Sequence, residues 1–224
     1  MRIAKPRLDF GLYTNCLDAM LSFWQGEVGL DLEQVLPVGR GVRQHRHALN
    51  GSVFKLNHSR DPLPDEAVSG YRELLIARPG LDQPRSLRDP DGNRVTLVPA
   101  GQQGIDGIGI RLAVSDAAAH ADFYGRILAF EQTGERAYRL GDSVLLFDEE
   151  AGVERSGAMR SLGYRYFTLQ VWDVDEAHAE ITSRGGEEAH PPRTLGKVAR
   201  ISFVRDPDGN WIELSQRASL TGEL

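Results

Sequence analysis

Strand-like and helix-like patterns of apolar residues follow one another along the chain, and the succession occurs twice. Apolar side chains alternate with other residues over 8–15 and again over 108–115, as in a half-buried β-strand. A helical pattern of apolar positions follows each strand, and Phe23 of the first copy corresponds to Phe123 of the second. The constant offset of 100 residues predicts an internal repeat.

The rest of the pattern predicts short strands in both copies and one helix that the first copy lacks. We predict strands over about 31–37, 41–48 and 51–57, and over about 130–134, 136–140 and 143–148. A helix is predicted over about 173–184, where Asp173 and Glu176 have capping-box spacing. In the first copy the Pro- and Gly-rich residues 78–86 predict a link instead.

An identical turn sequence ends both copies. Residues Asp89 to Asn93 and Asp206 to Asn210 share the order Asp-Pro-Asp-Gly-Asn, and an apolar strand-like run follows each. Proline presets φ, aspartate bonds its own backbone, and glycine accepts a positive φ. We therefore predict a tight turn between two antiparallel strands at each site.

Composition and charge argue against a nucleic-acid-binding, disulfide-bonded or membrane-spanning protein. A net charge of −6 and a charged fraction of 26% give no basic footprint for nucleic acid. The single cysteine, Cys16, cannot form an internal disulfide, as is typical of a reducing compartment. We find no apolar run of membrane-spanning length and no signal-peptide core. We expect a cytoplasmic monomer or homodimer that binds a small molecule, without nucleic-acid or membrane partners.

Several features of the second copy occur together. They are Val114 to Asp116, Phe123 with Tyr124, Val171 to Asp175, and the second turn followed by Glu213 and Leu214. Together they resemble the vicinal oxygen chelate superfamily, which includes glyoxalases, extradiol dioxygenases, epimerases and bleomycin- or fosfomycin-resistance proteins. The resemblance covers residues 105–216 well and residues 7–99 at both ends.

The resemblance implies an α+β fold in which βαβββ modules pair, each pair curling into a cup that holds the ligand. We predict two glyoxalase-like domains, residues 1–100 and residues 105–217, with the second module of the first domain shortened. One cup is assigned to each half of the chain. Exchange of modules across a dimer is left open.

Enzymes of this family usually bind a divalent metal through four inward-facing positions of the cup. The matching residues are Asp9, Lys55, Glu73 and Thr96 in the first half, and Gly109, Leu146, Tyr166 and Glu213 in the second. Glycine and leucine cannot coordinate a metal, and the ammonium group of Lys55 competes with a cation. We therefore expect Asp9, Glu73 and Lys55 to form a buried ion-pair cluster where the metal would lie.

Alternation along the strands gives the second cup aromatic walls with a few polar groups, which is typical of a small-molecule pocket. We predict Glu213 as a general base or acid, with Tyr166 assisting it. The alternative is a structural ion pair between Glu213 and Arg111. The further ligand-binding residues predicted here are Arg111, Tyr164, Trp172 and Trp211.

The first cup is more polar. His45 and His47 share one strand face, and with Lys55 and Asn57 they are predicted to bind a carboxylate- or phosphate-bearing ligand. The same histidines offer a non-standard position for a divalent metal, and a solvated strand edge is the alternative. No metal ligand is assigned.

Two functions remain open. The chain is either a lyase, isomerase or dioxygenase-like enzyme acting on a small aromatic or carboxylate-bearing metabolite, or a metal-free protein that sequesters a small molecule or antibiotic. The departures from the metal pattern weigh against the usual metalloenzyme, whereas the titratable groups weigh against simple sequestration.

Overall fold

The computed structural model describes residues 1–64, 66–222 and 224. Its strands are β1 (Ile3–Thr14), β2 (Leu32–Gly39), β3 (Val42–Leu49), β4 (Ser52–Ser59), β5 (Tyr71–Arg78), β6 (Arg85–Arg88), β7 (Arg94–Pro99), β8 (Ile108–Val114), β9 (Glu131–Gly134), β10 (Ala137–Leu140), β11 (Ser143–Glu149), β12 (Gly163–Val171), β13 (Glu187–Leu195), β14 (Ala199–Arg205) and β15 (Trp211–Arg217). The helices are α1 (Leu17–Leu21), α2 (Ala117–Ala121), α3 (Val174–Ser183) and α4 (Ala218–Thr221), with a short 3-10 turn at Gln102–Gly104.

The internal repeat is visible in the helices. A π-helical turn continues α1 over Ser22–Glu27, and an equivalent turn continues α2 over Asp122–Ile127 at the predicted offset. The side chain of Asp173 accepts the Glu176 amide at the start of α3, as the capping spacing predicts. Between β5 and β6 the described residues contain no helix, so the predicted link in the first copy is confirmed.

Both predicted turns form. The Asp89 carboxylate accepts the Asn93 amide at 2.8 Å, and the Asp206 carboxylate accepts the Asn210 amide at the same distance. Gly92 in the first turn has a φ of 85°, a conformation that glycine adopts without steric cost. Each turn joins two antiparallel strands, β6 to β7 and β14 to β15.

The described strands form two mixed sheets, and these do not follow the halves of the sequence. An eight-stranded sheet has the order β13-β14-β15-β12-β1-β4-β3-β2, and a seven-stranded sheet has the order β6-β7-β5-β8-β11-β10-β9. The first module of the chain therefore pairs with the last one, through β1 and β12. The two middle modules pair through β5 and β8.

The expectation that each half encloses its own cup is therefore wrong. A single module, taken alone, has an edge strand whose backbone groups are unpaired. The alternation of apolar and polar residues does not specify which other module will pair with that edge. The segments that follow β4 and β11 carry the chain from one sheet to the other. The division into residues 1–100 and 105–217 stays a prediction about the repeat alone.

The hydrophobic core lies between the two sheets and under the helices. Phe10 of β1, Leu74 of β5, Ile110 of β8 and Phe167 of β12 are fully buried in one cluster. Because these side chains take the outer faces of both sheets, the concave faces are left for the alternate positions of each strand. The α+β class of paired modules is confirmed. Among the described residues, no helix is long and apolar enough to cross a membrane.

Candidate functional site

A buried polar cluster lies on the concave face of the eight-stranded sheet. The ammonium group of Lys55 donates to the Thr168 hydroxyl and to Oε2 of Glu213, each at 2.6 Å. The Thr168 hydroxyl donates to the same Oε2 at 2.6 Å. Among the described residues, Oε1 of Glu213 accepts no hydrogen bond and Lys55 finds no third acceptor, so one acceptor and one donor face the cup.

Four neighbouring strands deliver this cluster. Thr168 of β12 lies beside Glu213 of β15 in the parallel ladder, and across from Asp9 of β1 in the antiparallel one. Lys55 of β4 lies beside Gly11 of β1. The first and last modules therefore each supply half of the cluster, and neither copy of the repeat contains it alone.

Asp9 completes the charge balance around Lys55. Its carboxylate accepts from Lys5 Nζ at 2.8 Å, from the Val53 amide at 2.9 Å and from Gln170 Nε2 at 2.9 Å. Burial raises the pKa of Asp9, but the positive charges of Lys55 and Lys5 outweigh it and hold the pKa below its ordinary value. Asp9 is therefore an anion that compensates the buried ammonium group.

The Lys55 side chain is 4% exposed, and its burial lowers the pKa of the ammonium group. The negative charges of Glu213 and Asp9 oppose this shift, and the positive charge of Arg46 adds to it. The lowered pKa makes Lys55 a stronger hydrogen-bond donor toward a ligand oxygen that gains negative charge.

Tyr166 lies over the same floor. Its hydroxyl oxygen accepts from Asn57 Nδ2 at 3.1 Å and from Gln44 Nε2 at 3.3 Å, which leaves its own proton free to donate. Burial and the negative charge of Glu213 raise the pKa of Tyr166 well above its ordinary value. The phenol therefore stays protonated, as a general acid or hydrogen-bond donor requires.

Aromatic and apolar side chains wall the cup beside these polar groups. Tyr13 and Tyr166 pack together with partly buried Met159 and Trp211. The Trp211 indole donates to the carbonyl of Gly157 at 2.9 Å, so the segment between β11 and β12 lies against the cup. The guanidinium group of Arg205 stacks 4.0 Å above the Trp211 ring.

The family's metal does not fit this cup. The module exchange brings together Asp9, Lys55, Tyr166 and Glu213 at the four ligand positions that the resemblance implies. Lys55 takes up Glu213 and neutralises Asp9, and Tyr166 remains a neutral phenol. Among the described residues, no group of three or more His, Cys, Asp or Glu side chains could hold a metal ion.

The expected ion-pair cluster is half right. Lys55 and Asp9 are neighbours, but Glu73 lies on the other sheet. There the Glu73 carboxylate accepts from Thr96 at 2.6 Å and from Arg111 at 3.1 Å. The predicted alternative pair of Glu213 and Arg111 is therefore wrong as well, because the exchange of modules gives each carboxylate a cation from the other half of the sequence.

The concave face of the seven-stranded sheet is less suited to a ligand. Arg111 is held between Glu73 and Asp148, so its charge is paired. Apolar side chains fill the face beyond this cluster, namely Leu75, Ala77, Val98, Ile105, Val144 and Leu146. A polar cavity of about 580 Å³ opens at the edge of this sheet, with Arg94, Arg111 and Tyr164 in its lining. Both arginines and carboxylates line this cavity, and among the described residues Oδ2 of Asp91 is buried there without a hydrogen-bond partner.

His45 and His47 share a strand face, but it is the face opposite the cup. In the ladder of β3 and β4 they lie across from Leu56 and Phe54, which belong to the core. His47 bonds Gln25 at 3.2 Å, and burial lowers its pKa to about 4. Since these histidines point away from Lys55 and Asn57, they take no part in the function proposed below.

Two other predicted ligand-binding residues also lie outside the cup. A register shift between Gly11 and Leu12 in the pairing of β1 with β12 turns Tyr164 into the core, where its ring packs 4.8 Å from Phe10. Trp172 follows the end of β12 and is 43% exposed. Among the predicted residues, the cup brings together Glu213, Tyr166, Lys55, Asn57 and Trp211.

Gln44 and Arg46 belong to the cup and were missed. They lie across from Asn57 and Lys55 in the ladder of β3 and β4. Alternation along β3 could have found them, because side chains beside His45 and His47 must point to the other face. The prediction for this strand was based on the two histidines instead.

Comparisons with known proteins agree with this architecture. Residues 105–214 match the family described as the Glyoxalase/Bleomycin resistance protein/Dioxygenase superfamily. A glyoxalase I mutant from Zea mays is 16% identical with a TM-score of 0.76, and the alignment covers 100% of this chain and 96% of that one.

A putative dioxygenase from Bacillus subtilis is 14% identical with a TM-score of 0.71, covering 97% of this chain and 85% of that one. At these identities the likeness shows a shared fold, and the chemistry has to be argued from the residues of the cup.

Proposed function

The chain belongs, through residues 105–214, to the Glyoxalase/Bleomycin resistance protein/Dioxygenase superfamily, and we propose that it binds a small carbonyl compound in the eight-stranded cup and moves a proton on it without a metal. The observation that carries this proposal is the Lys55 ammonium group, which occupies the floor of the cup between Thr168 and Glu213. A cation held there can stabilise an oxygen that becomes negative during the reaction.

The proposed step uses the two free atoms of the ion pair. Oε1 of Glu213 takes a proton from the carbon next to the ligand carbonyl, and the electron pair of that C–H bond forms a C=C bond. The carbonyl π electrons move to oxygen, where the third N–H of Lys55 and the Tyr166 hydroxyl donate to the enolate. Return of the proton from Glu213 to the opposite face of the same carbon completes an epimerisation. With a 2-hydroxy ketone, return of the proton to the former carbonyl carbon completes an isomerisation, because the hydroxyl proton passes to the enolate oxygen and the hydroxyl group becomes the new carbonyl. Breakage of the bond from the β-carbon to a leaving group, which takes the proton from Glu213, completes an elimination.

The side-chain exposures support these roles. The Glu213 side chain is 13% exposed and that of Lys55 is 4% exposed. A carboxylate that solvent still reaches can meet a ligand, whereas the more deeply buried ammonium group keeps a fixed position behind it. Fixed donors aimed at a developing charge need no reorganisation during the reaction, which is the condition for strong electrostatic stabilisation.

Exchange of carbon-bound protons with solvent tests the proposal directly. Purified protein in D₂O is incubated with a panel of 2-oxo acids and 2-hydroxy ketones, and deuterium incorporation is followed by proton NMR. We expect Glu213→Gln to slow exchange by about 100-fold or more, as expected for loss of a general base. The matched control is Glu73→Gln, because Glu73 of the other sheet also accepts from one threonine and one cation, Thr96 and Arg111. Exchange at the wild-type rate in Glu213→Gln would exclude this mechanism.

The aromatic walls favour a second candidate function, metal-free sequestration of a small molecule. Tyr13, Tyr166 and Trp211 offer planar surfaces that need no titratable partner. A sequestering protein would bind members of the same panel, and neither wild type nor Glu213→Gln would catalyse exchange. Binding without exchange therefore selects this second function.

A further inference from the structure

Arg46 and Arg217 bring unpaired positive charge to the cup. Arg46 is buried on β3 directly across from Lys55. Arg217 is half-buried at the end of β15, on the face that carries Glu213 and Ser215. Burial lowers the pKa of Arg217 and the charge of Arg46 adds to this shift, whereas the charges of Glu213 and Asp9 oppose it, so Arg217 lies within electrostatic reach of all three groups.

The carboxylates of the cup are already matched by other cations. Asp9 pairs with Lys5 at 2.8 Å, and Glu213 pairs with Lys55 at 2.6 Å. Neither arginine forms an ion pair with any carboxylate of the described residues. The two guanidinium groups repel each other, and the nearby carboxylates offset this repulsion only in part because each is bonded to a lysine. A bound anion would reduce the repulsion further.

Arg46 is also held in place before any ligand arrives. Its Nη1 donates to Oε1 of Gln44 at 2.9 Å, and Nε2 of Gln44 donates to Asn57 at 2.9 Å. One of the five N–H donors is used in this way, and the others remain for a planar, bidentate partner. Asn57 also donates to Tyr166, so the arginine is linked to the residues of the proposed reaction.

We propose that Arg46 and Arg217 form a carboxylate-binding subsite of the eight-stranded cup, and that the compound processed there is a small 2-oxo acid or a closely related carboxylic acid. This inference rests on the proposed function for the identity of the reacting carbonyl group. The subsite itself rests on the two arginines and their charge.

The ladder geometry matches a carboxylate next to a carbonyl group. Side chains directly across an antiparallel pair have Cβ atoms about 5 Å apart, and Arg46 and Lys55 are such a pair. A carboxylate held by Arg46 therefore brings an oxygen on the neighbouring carbon toward the free N–H of Lys55. The aromatic ring of Tyr166 lies on the other side of this ammonium group, 5.4 Å from it.

Benzoylformate and its methyl ester are suitable probes. Both carry the 2-oxo group and an aromatic ring, neither has an acidic C–H, and only the first has a carboxylate. We expect titration calorimetry to show that wild type prefers the acid by about tenfold or more, the difference expected for charge-assisted hydrogen bonds. In Arg46→Gln and in Arg217→Gln the preference should fall to about twofold.

Controls separate recognition from folding. Arg46→Lys keeps the positive charge but loses the planar guanidinium group that can donate two parallel hydrogen bonds, so we expect it to retain part of the preference for the acid over the ester. Arg94→Gln alters a cation that lines the cavity at the edge of the other sheet and should bind as wild type does. Thermal unfolding of each variant is measured in parallel.

The subsite is overturned if wild type binds acid and ester equally or binds neither. It is also overturned if both glutamine variants keep the full preference for the acid. Failure of the proposed function is seen separately, as wild-type proton exchange in Glu213→Gln. If the acid preference is retained but Glu213→Gln exchanges protons at the wild-type rate, the carboxylate-binding subsite is supported and the proposed proton transfer is excluded.

Discussion

Lys55 and Glu213 lie 158 positions apart in the sequence, and their charged atoms meet at 2.6 Å on the floor of one cup. The pair joins the first module of the chain to the last. It occupies the place where the family resemblance implies a metal ligand set, and it replaces a bound cation with one that is part of the polypeptide. The predictions below follow from this replacement and from the packing around it.

Removing the cation should destabilise the fold strongly. We expect Lys55→Met to lower the free energy of unfolding by about 3–5 kcal/mol, because it leaves Glu213, whose side chain is 13% exposed, without its cationic partner. The measurement is urea denaturation followed by circular dichroism. In a double-mutant cycle, adding Glu213→Gln should recover most of the loss. Additive losses in the double variant would show that the two side chains do not stabilise each other.

Reversing the charge at position 55 should create metal affinity. In Lys55→Glu the ammonium group that competes with a cation is gone, and a third carboxylate joins Asp9 and Glu213. We expect Mn²⁺ or Ni²⁺ to bind stoichiometrically by titration calorimetry, since oxygen ligands suit such ions.

Lys55→Gln is the matched control and should bind neither ion appreciably, because it removes the ammonium group without adding a carboxylate. If Lys55→Glu folds yet binds neither ion, the geometric match to a metal site is wrong.

Gly11 is required by the ring of Tyr166. A Cβ atom at position 11 would lie 2.4 Å from Cε1 and Cζ of that ring. We expect Gly11→Ala to push Tyr166 out of place and to destabilise the protein by about 1–3 kcal/mol, as overpacking does. Near-ultraviolet circular dichroism and thermal unfolding report the change.

Gly26→Ala serves as the control, because a Cβ atom at position 26 meets nothing within 4 Å. Unchanged spectra and stability in Gly11→Ala would mean that the Tyr166 ring moves aside without cost.

His47 should make stability depend on pH. Its burial, together with the charge of His45, lowers its pKa from 6.5 to about 4 in the folded protein. A depressed pKa contributes stability above pH 6.5 that is lost as the pH falls through about 4, by roughly 2–3 kcal/mol.

We expect the denaturant midpoint of His47→Gln to fall less than that of wild type between about pH 7 and about pH 4. His190→Gln, at an exposed position of β13, is the control and should follow the wild-type curve. Parallel curves for His47→Gln and wild type would contradict the assignment.

The sequence by itself determined the repeat and the local structure. Alternation, helical spacing, capping residues and the two identical turns act within a few residues of one another, so the sequence was sufficient to predict the modules. It also determined that the metal pattern is broken, because Lys55 stands at a ligand position regardless of which module faces it.

Only the tertiary structure decided which modules share a cup. A strand presents the same backbone groups to any partner, so backbone hydrogen bonding alone does not select β12 as the partner of β1. That choice gave Lys55 the carboxylate of Glu213 and gave Arg111 the carboxylate of Glu73. It also placed His45 and His47 on the core side of the sheet and Arg46 on the side of the cup, because the burial of a strand face is decided only when the sheet has formed.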